Sequence, residues 1–542
     1  MMKKFSGERL LILGAGVMQS PAISIAREMG LYTVVVDGDP RASEATKADY
    51  FECIDLKDKV GIKALGRKFQ FHGGLSGVMT AGTDFSATVA WVAEKLGLPG
   101  IPYEAALNAS NKDRMRRCFA AAGVPSPRFT TFTVKSPVKK LPFGFPVVVK
   151  PVDNMGGRGC RRVNSQEELA AALTEALDFS RSGKVIVEEF MEGPEFSVDA
   201  IVNKGKIKVC GFADRHIFFP PYFIEMGHTM PSTLSGTETK AILKVFFAGV
   251  RSLGITAGYG AAKGDLKLTP RGPMIGEIAA RLSGGYMSGW TYPYASGVEV
   301  TRGAILAALG RPWAPGPDQG WTSAERAFIS IPGKVRSIHG LDHARKKRYV
   351  KNVFLRVAER SPVQFPENNV TKCGNVISAA STRHAAVNVA EKSAREILIR
   401  LEPDQPETDT FLASGGAAFP PDAYRLPENI RRSLAHLPIQ QLPERIRNGD
   451  ALPVFEIYPF PEFTGCKIRD YAGRSPRESL DAIRIITGLS LPIIENSPFG
   501  SDVIVLGRFF WNALVRGGYQ GAVYFIDTIL NNLNIERGQK SV

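Results

Sequence analysis

Three stretches carry residue types that could act together on an anion and a cation. In "FPVVVKPVDNMGGRGCRRV", Lys150 ends an apolar run, and Gly156, Gly157, Arg158 and Gly159 follow. Closely spaced glycines can turn backbone N–H groups toward an anion, while Lys150 and Arg158 neutralise it. The G-x-x-x-x-G-K-[ST] pattern is absent, so this is not a P-loop; a flexible hairpin tip has the same composition. In "KVIVEEFMEGPEFSVDAI", Glu188 and Glu189 close one apolar run and Glu195 opens the next. An acid at such a junction can accept from sugar hydroxyls, and the strand-end backbone can pair with a base edge; a solvated acidic hairpin is the plainer alternative. "KGDLKLTPRGPMIGEIAARLSGG" reads as two strands about a Pro-Arg-Gly turn, which brings Asp265 and Glu277 together if they pair antiparallel. Two carboxylates with phosphate oxygens and water suit Mg2+, and Arg281, Gly284 and Gly285 follow at once. Two unrelated surface acids would give the same letters.

These stretches need a scaffold. "RLLILGAG", "SPAISIAREMG", "YTVVVD", "VGIKALGRKFQFH", "GGLSGVMTAG" and "FSATVAWVAEKLGLPG" alternate strand and helix patterns, implying a parallel sheet covered by helices. Its first turn, Gly14-Ala15-Gly16-Val17-Met18-Gln19, is close to a dinucleotide fingerprint, with Asp37 where a ribose-binding acid would stand. Gln19, however, occupies the place where Gly or Ala is needed for close packing. After the helical "NKDRMRRCFAAAGVPSP", residues 125–200 are strand-rich with short polar turns, pointing to antiparallel pairing. A helix is expected over 237–250, a Pro/Gly break at 311–320, and a small α+β segment to 402. Residues 403–419 read as a polar, Pro-rich linker, and 420–542 show apolar α/β-like patterning in "ALPVFEIYPFPEFTG", "LDAIRIITGLSLP" and "GAVYFIDTIL".

Composition narrows the class. A chain of 542 residues exceeds one ordinary domain, and 44% hydrophobic with 22% charged residues is globular. No run of eighteen apolar residues occurs, so no membrane helix is expected. The N-terminal "MMKKFSGERLLILGAG" lacks a small-residue cleavage site and reads as a first strand. Cys53, Cys118, Cys160, Cys210, Cys373 and Cys466 form no C-x-x-C pair, as expected of reduced thiols in a cytoplasmic protein. The net charge of +15 lies in short clusters without an aromatic-interleaved stripe, which argues against nucleic acid as the main ligand.

In their order and spacing, the motifs of about residues 9–400 resemble those of the ATP-grasp carboxylate–amine ligases, closest to the L-amino-acid ligase and carbamoyl-phosphate-synthase-like branch. The resemblance implies an α/β and α+β multidomain fold. It would have a Rossmann-like N-terminal domain (1–110), a two-lobed ATP-grasp module (111–315), a small α+β domain (316–402), a linker (403–419) and a further C-terminal domain (420–542). It implies that Lys112 and Lys150 hold ATP phosphates and that Gly156, Gly157 and Gly159 close over them. Glu188, Glu189 and the following backbone would meet adenine, and Glu195 the ribose. Asp265 and Glu277 would hold Mg2+, with Mn2+ as a substitute, and Arg281 would steady the reacting acyl group with Gly284 N–H. In "FIEMGHTMPS", Glu225 and His228 would bind or position substrate, although His228 could equally be a structural histidine. Two departures stand out: Ala279 occupies a place where many members have a metal-binding Asn, and Asp265 is shorter than the usual Glu. The implied reaction joins a small carboxylate to an amine through an acyl phosphate, and assembly into a homo-oligomer is compatible with it. A carboxyphosphate-forming enzyme of the biotin carboxylase or carbamoyl phosphate synthase type, a Rossmann oxidoreductase and a non-catalytic nucleotide-binding protein are the alternatives.

Overall fold

A computed structural model of the chain describes residues 5, 7–71, 73–134, 140–417, 419–439, 454–494 and 503–539. The chain divides into two compact units, residues 1–325 with 379–387, and residues 326–378 with 388–542.

The first unit opens with β1 (Arg9–Leu13), α1 (Ser20–Glu28), β2 (Tyr32–Asp37), β3 (Tyr50–Cys53), α2 (Lys59–Phe71), β4 (Leu75–Met79) and α3 (Ser86–Lys95). The strands run parallel in the order β3-β2-β1-β4, as the alternating pattern predicts. Leu10–Leu13 and Val34–Val36 are buried on both faces, which is why these runs are continuously apolar rather than alternating. Helices α4 (Tyr103–Ser110) and α5 (Lys112–Ala121) lead into a second sheet. It consists of β5 (Phe129–Thr133), β6 (Val147–Pro151), β7 (Arg161–Val163), α6 (Gln166–Asp178) and β8 (Lys184–Glu189). The order is β5-β8-β6-β7, all antiparallel, with α6 packing Leu169 and Ala172 onto Val147, Val149, Val185 and Val187.

A larger antiparallel layer follows: β9 (Glu195–Asn203), β10 (Lys206–Phe218), β11 (Ile224–Met230), α7 (Gly236–Ser252), β12 (Tyr259–Thr269) and β13 (Gly272–Ala279). The strands lie in the order β13-β12-β9-β10-β11. Helix α7 starts at a reciprocal Ser235/Glu238 capping box. Its Ile242, Phe246 and Val250 cover Val198, Ala200, Ile275 and Ile278. The helix approaches so closely that a Cβ at Gly249 would stand 2.4 Å from Ile275 Cδ1. Helices α8 (Tyr292–Ser296) and α9 (Val300–Ala308) complete this part of the chain.

The second unit holds a sheet of Gly333–His339, Pro362–Val363 and Leu398–Leu401. Beyond residue 420 the described residues combine strands and helices, in keeping with the α/β-like patterning. A two-stranded parallel sheet, Val454–Ile457 with Val503–Leu506, lies among helices Glu428–His436, Pro476–Thr487 and Arg508–Gln539, the last broken at Gly518, whose φ of +61° is non-helical. "LDAIRIITG" and "GAVYFIDTIL" are thus helical; residues 451–453 of "ALPVFEIYPFPEFTG" lie outside the described residues. The segment expected as a linker contains a helix, Pro406–Ala413, whose Phe411 is buried. Proline at the first helical position costs no hydrogen bond, so a Pro-rich composition hid a helix start. Among the described residues no helix is long and apolar enough to cross a membrane.

The misfit of the opening turn has a structural reason. Gln19 is buried, and its amide donates to Ala81 O while its Oε1 accepts from Ala81 N at 3.1 Å. A Cβ at Gly14, whose φ is +101°, would stand 3.2 Å from Gln19 Cγ. The space over the turn is therefore filled by a side chain that pins the end of β4. Asp37 is likewise spent internally, accepting from Ala15 N at 2.7 Å and Asp39 N at 2.9 Å. Replacing Gln19 by Ala leaves both Ala81 backbone groups unpaired; we expect a loss of about 1–3 kcal/mol in stability by urea denaturation.

Candidate active site

Successive side chains of a strand point to opposite faces, so residues two apart share a face. Glu195, Ser197 and Asp199 of β9 share one. The register sets Arg215 and Lys267 opposite Glu195, Asp265 opposite Ser197, and Lys263 opposite Asp199. On the far side of β12, Glu277 opposes Asp265 and Ala279 opposes Lys263. Three rows of charged and polar groups thus run across one face: Arg215–Glu195–Lys267, Ser197–Asp265–Glu277 and Asp199–Lys263–Ala279. The predicted meeting of Asp265 and Glu277 is observed.

Contacts follow the rows. Arg215 pairs through Nη1 with Glu195 and with Asp265 Oδ2 (3.1 Å), and through Nη2 with Glu225 Oε2 (2.8 Å). Lys263 also pairs with Asp265 Oδ2, while Asp265 Oδ1 is buried without a hydrogen-bond partner. Lys112 Nζ lies 3.7 Å from Glu277 Oε1. Burial opposes ionisation of Glu277, but Lys112, Lys263, Lys150 and Arg281 outweigh it and bring its pKa to about 2. Sequence reading missed Arg215 and Lys263. Their signal was strand register, which single-strand periodicity does not reveal.

The glycine loop hangs from the same cations. Gly156, Gly157 and Gly159 have φ values of +71°, +80° and +64°, a region that side chains disfavour. Lys112 Nζ donates to Asn154 O at 2.7 Å, and Arg158 Nη2 donates to Asp84 Oδ2 at 3.0 Å. Lys150, one strand-end earlier, pairs with Glu188 Oε2 at 2.6 Å. Arg116 Nε approaches Glu188 Oε1 at 2.9 Å, an ion-pair contact outside hydrogen-bond angles. Burial works against the Glu188 charge, and Arg116 and Lys150 overcome it, holding the carboxyl below its usual range. Glu188 is buried, and its carboxylate holds Lys150. Glu189 instead pairs with Arg128 (3.3 Å) and Arg271 (3.0 Å).

Arg281 sits where two layers meet. Its Nε donates to Thr83 O at 2.9 Å and its Nη1 to Leu282 O at 2.7 Å. Gly82 and Gly284 touch backbone to backbone, since a Cβ on Gly82 would lie 3.0 Å from Gly284 Cα. Ser283 N donates to Asp199 Oδ1 at 2.8 Å, which fixes the segment. Burial pushes the Asp199 carboxyl up to about 6, against the Ser283 hydrogen bonds and the charges of Lys263 and Arg281.

His228 is fully buried. Its Nδ1 lies 3.3 Å from Glu325 Oε2 and 3.7 Å from Glu225 Oε1, and its Nε2 shares a 2.6 Å hydrogen bond with Thr291 Oγ1. Desolvation favours the neutral ring, but Glu225 and Glu325 prevail and raise its pKa. His228 is thus enclosed among Glu225, Glu325 and Thr291, with no exposed side-chain atom.

The donor set fits Mg2+. Asp265 and Glu277 offer hard carboxylate oxygens side by side, one of them, Asp265 Oδ1, buried and unpartnered. No group of three metal-ligating side chains occurs among the described residues.

The part of the chain that holds these groups is similar to known proteins. A model of the ATP-grasp domain matches residues 143–289, and a model of the L-amino acid ligase C-terminal domain 2 matches residues 327–402. The chain is 26% identical over 389 residues to protein y4rH of Sinorhizobium fredii, covering 69% of this chain and 79% of that one. It is 27% identical over 342 residues to carnosine synthase 1 of Gallus gallus, covering 56% of this chain and 36% of that much longer relative. In fold it is similar to the crystal structure of L-amino acid ligase from Bacillus licheniformis, with a TM-score of 0.63 at 22% identity, over 73% of this chain and 99% of that one.

Two measurements test this electrostatic layout. Arg116→Met strips one partner from the buried Glu188, and we expect it to lose about 3–5 kcal/mol in urea denaturation. The raised His228 pKa makes its stabilisation complete below about 6.5, the unfolded value, and lost as pH rises through the folded value. His228→Gln should therefore flatten the decline of Tm as pH rises above about 6.5; a decline as steep as wild type's would contradict the pairing.

Proposed function

We propose, from the premise that this chain belongs to the ATP-grasp carboxylate–amine ligases, that it activates a small carboxylate, such as that of an amino acid, with ATP and joins it to an amine. ATP-dependent carboxylate–amine ligation, forming ADP and a C–N bond, is the chemistry of the family. The observation that carries the reading for these residues is Glu277, held ionised among Lys112, Lys150, Lys263 and Arg281 directly across from Asp265.

Each group has a task in that reaction. Lys112 and Lys150 hold the triphosphate, Lys150 braced by Glu188 and Arg116 so that its ammonium has one position. The positive-φ glycines 156, 157 and 159 present N–H groups to the β- and γ-phosphates and shield the reacting centre from water. Glu195 accepts from the ribose, and Glu189 with the backbone beyond it borders the base. Mg2+ held by Asp265 and Glu277 would supply charge neutralisation on the phosphates. A substrate carboxylate oxygen attacks the γ-phosphorus and ADP leaves, giving an acyl phosphate. A neutral amine then attacks the acyl carbon, phosphate departs, and the amine proton is lost to solvent or a nearby base. Arg281 and the Gly284 N–H stabilise the oxyanion of that second step. Glu225, oriented by His228 and Arg215, contributes to the substrate wall.

The test is phosphate and ADP release from Mg-ATP across paired carboxylates and amines, with mass spectrometry of the product. Turnover should require both partners. Glu277→Gln should lower kcat at least about a thousandfold while far-UV circular dichroism and Tm stay near wild type. Wild-type turnover in that variant would remove Glu277 from the machinery.

A further inference from the structure

The row Asp199–Lys263–Ala279 has a feature that the activation scheme above does not use. At Ala279, across the strand from Lys263, the chain presents a methyl group instead of a metal-ligating atom. Lys263 does not extend into solvent: its ammonium turns along β12 to Asp265, two residues on, and pairs with Oδ2. Oδ2 also receives Arg215 Nη1 at 3.1 Å. One oxygen of Asp265 is thus taken by two fixed cations, while Oδ1 is buried and unpartnered.

We propose that the Lys263 ammonium takes the place of a second divalent cation, so that each chain holds a single divalent ion between Asp265 and Glu277. This rests on the ligase reading above. The chemistry is additive charge in a confined space. One dication fits the free Asp265 Oδ1 and the Glu277 carboxylate. A second would find only the remaining Glu277 oxygen and Asp265 Oδ2, the latter shared with two cations, and Ala279 offers it no further donor. In a partly buried site that repulsion is poorly screened. A lysine ammonium also needs no dehydration of a hexaaquo ion at each cycle, and it stays when product leaves. Its three N–H donors can follow a phosphate oxygen as charge shifts during transfer.

The experiment counts metal. Purified full-length protein is titrated with Mn2+ in the presence of saturating ADP, free Mn2+ is read by its electron paramagnetic resonance signal, and bound ADP is counted in parallel by ultrafiltration. Wild type should retain about one Mn2+ per chain with about one ADP, given two carboxylate ligands and a cation already in place. Lys263→Glu should retain a second Mn2+ and tighten it at least about tenfold over wild type. Lys263→Met, which removes the charge without adding a donor, should keep about one Mn2+ but bind ADP more weakly; it serves if Lys263→Glu fails to fold. Two Mn2+ per wild-type chain would overturn the Lys263 assignment and leave the ligase reading intact. Failure of wild type to retain either Mn2+ or ADP would overturn both.

Discussion

The pairing register of β9 with β10 and β12, and of β12 with β13, is the constraint on which the site depends. A one-residue slip in any of these ladders would turn its acids and cations to the opposite face. Burial enforces the register: on the other face Phe196, Val198, Ala200, Leu266 and Ile278 pack under α7. The hydrophobic layer under the sheet and the charged layer above it are two readings of one alternation. Core packing, rather than any contact between charges, decides where the carboxylates stand.

Charges gathered this way would repel one another unless their signs alternated, and they do. Arg215 sits among Glu195, Asp265 and Glu225, while Glu188 lies between Lys150 and Arg116. Both Arg215 and Glu188 have partners on at least two sides, the condition under which a buried charge is tolerable. Arg215 also joins the acids assigned to nucleotide and metal to the acid assigned to substrate, so those regions share a counter-ion. Similarly, the loop after β4 gives Thr83 O to Arg281 and Asp84 to Arg158. The parallel sheet therefore contributes to the site although its own glycine turn is closed.

Much of this was legible in the letters. The strand–helix alternation gave the parallel sheet, and the Pro-Arg-Gly turn gave the Asp265–Glu277 pair, because both depend on local period and spacing. Lys112, Lys150 and the glycines were found through motif order. Arg215, Lys263 and Asp199 were not, because their meaning lies in which strand stands beside which, a long-range fact with no local trace. The ion pairing of Glu188 had no local trace either: an acid at a strand end reads as exposed until Arg116, some seventy residues earlier, is folded against it. The helices beyond residue 420 could not be placed from the letters for another reason: β-branched and aromatic residues favour strands weakly, and packing decides the outcome in the buried helix containing Tyr519, Val523 and Tyr524.

The plugged turn under Gln19 also bears on how such a scaffold could change its trade. In a dinucleotide enzyme, the crevice above the first strand is rented to a cofactor; here the protein has moved in itself, and the same amide that fills the room holds the neighbouring loop in place. Emptying it to admit a pyrophosphate would free the 80–84 loop on which Arg281 and Arg158 lean. In this architecture the amide that fills the turn and the loop that it holds are thus one device.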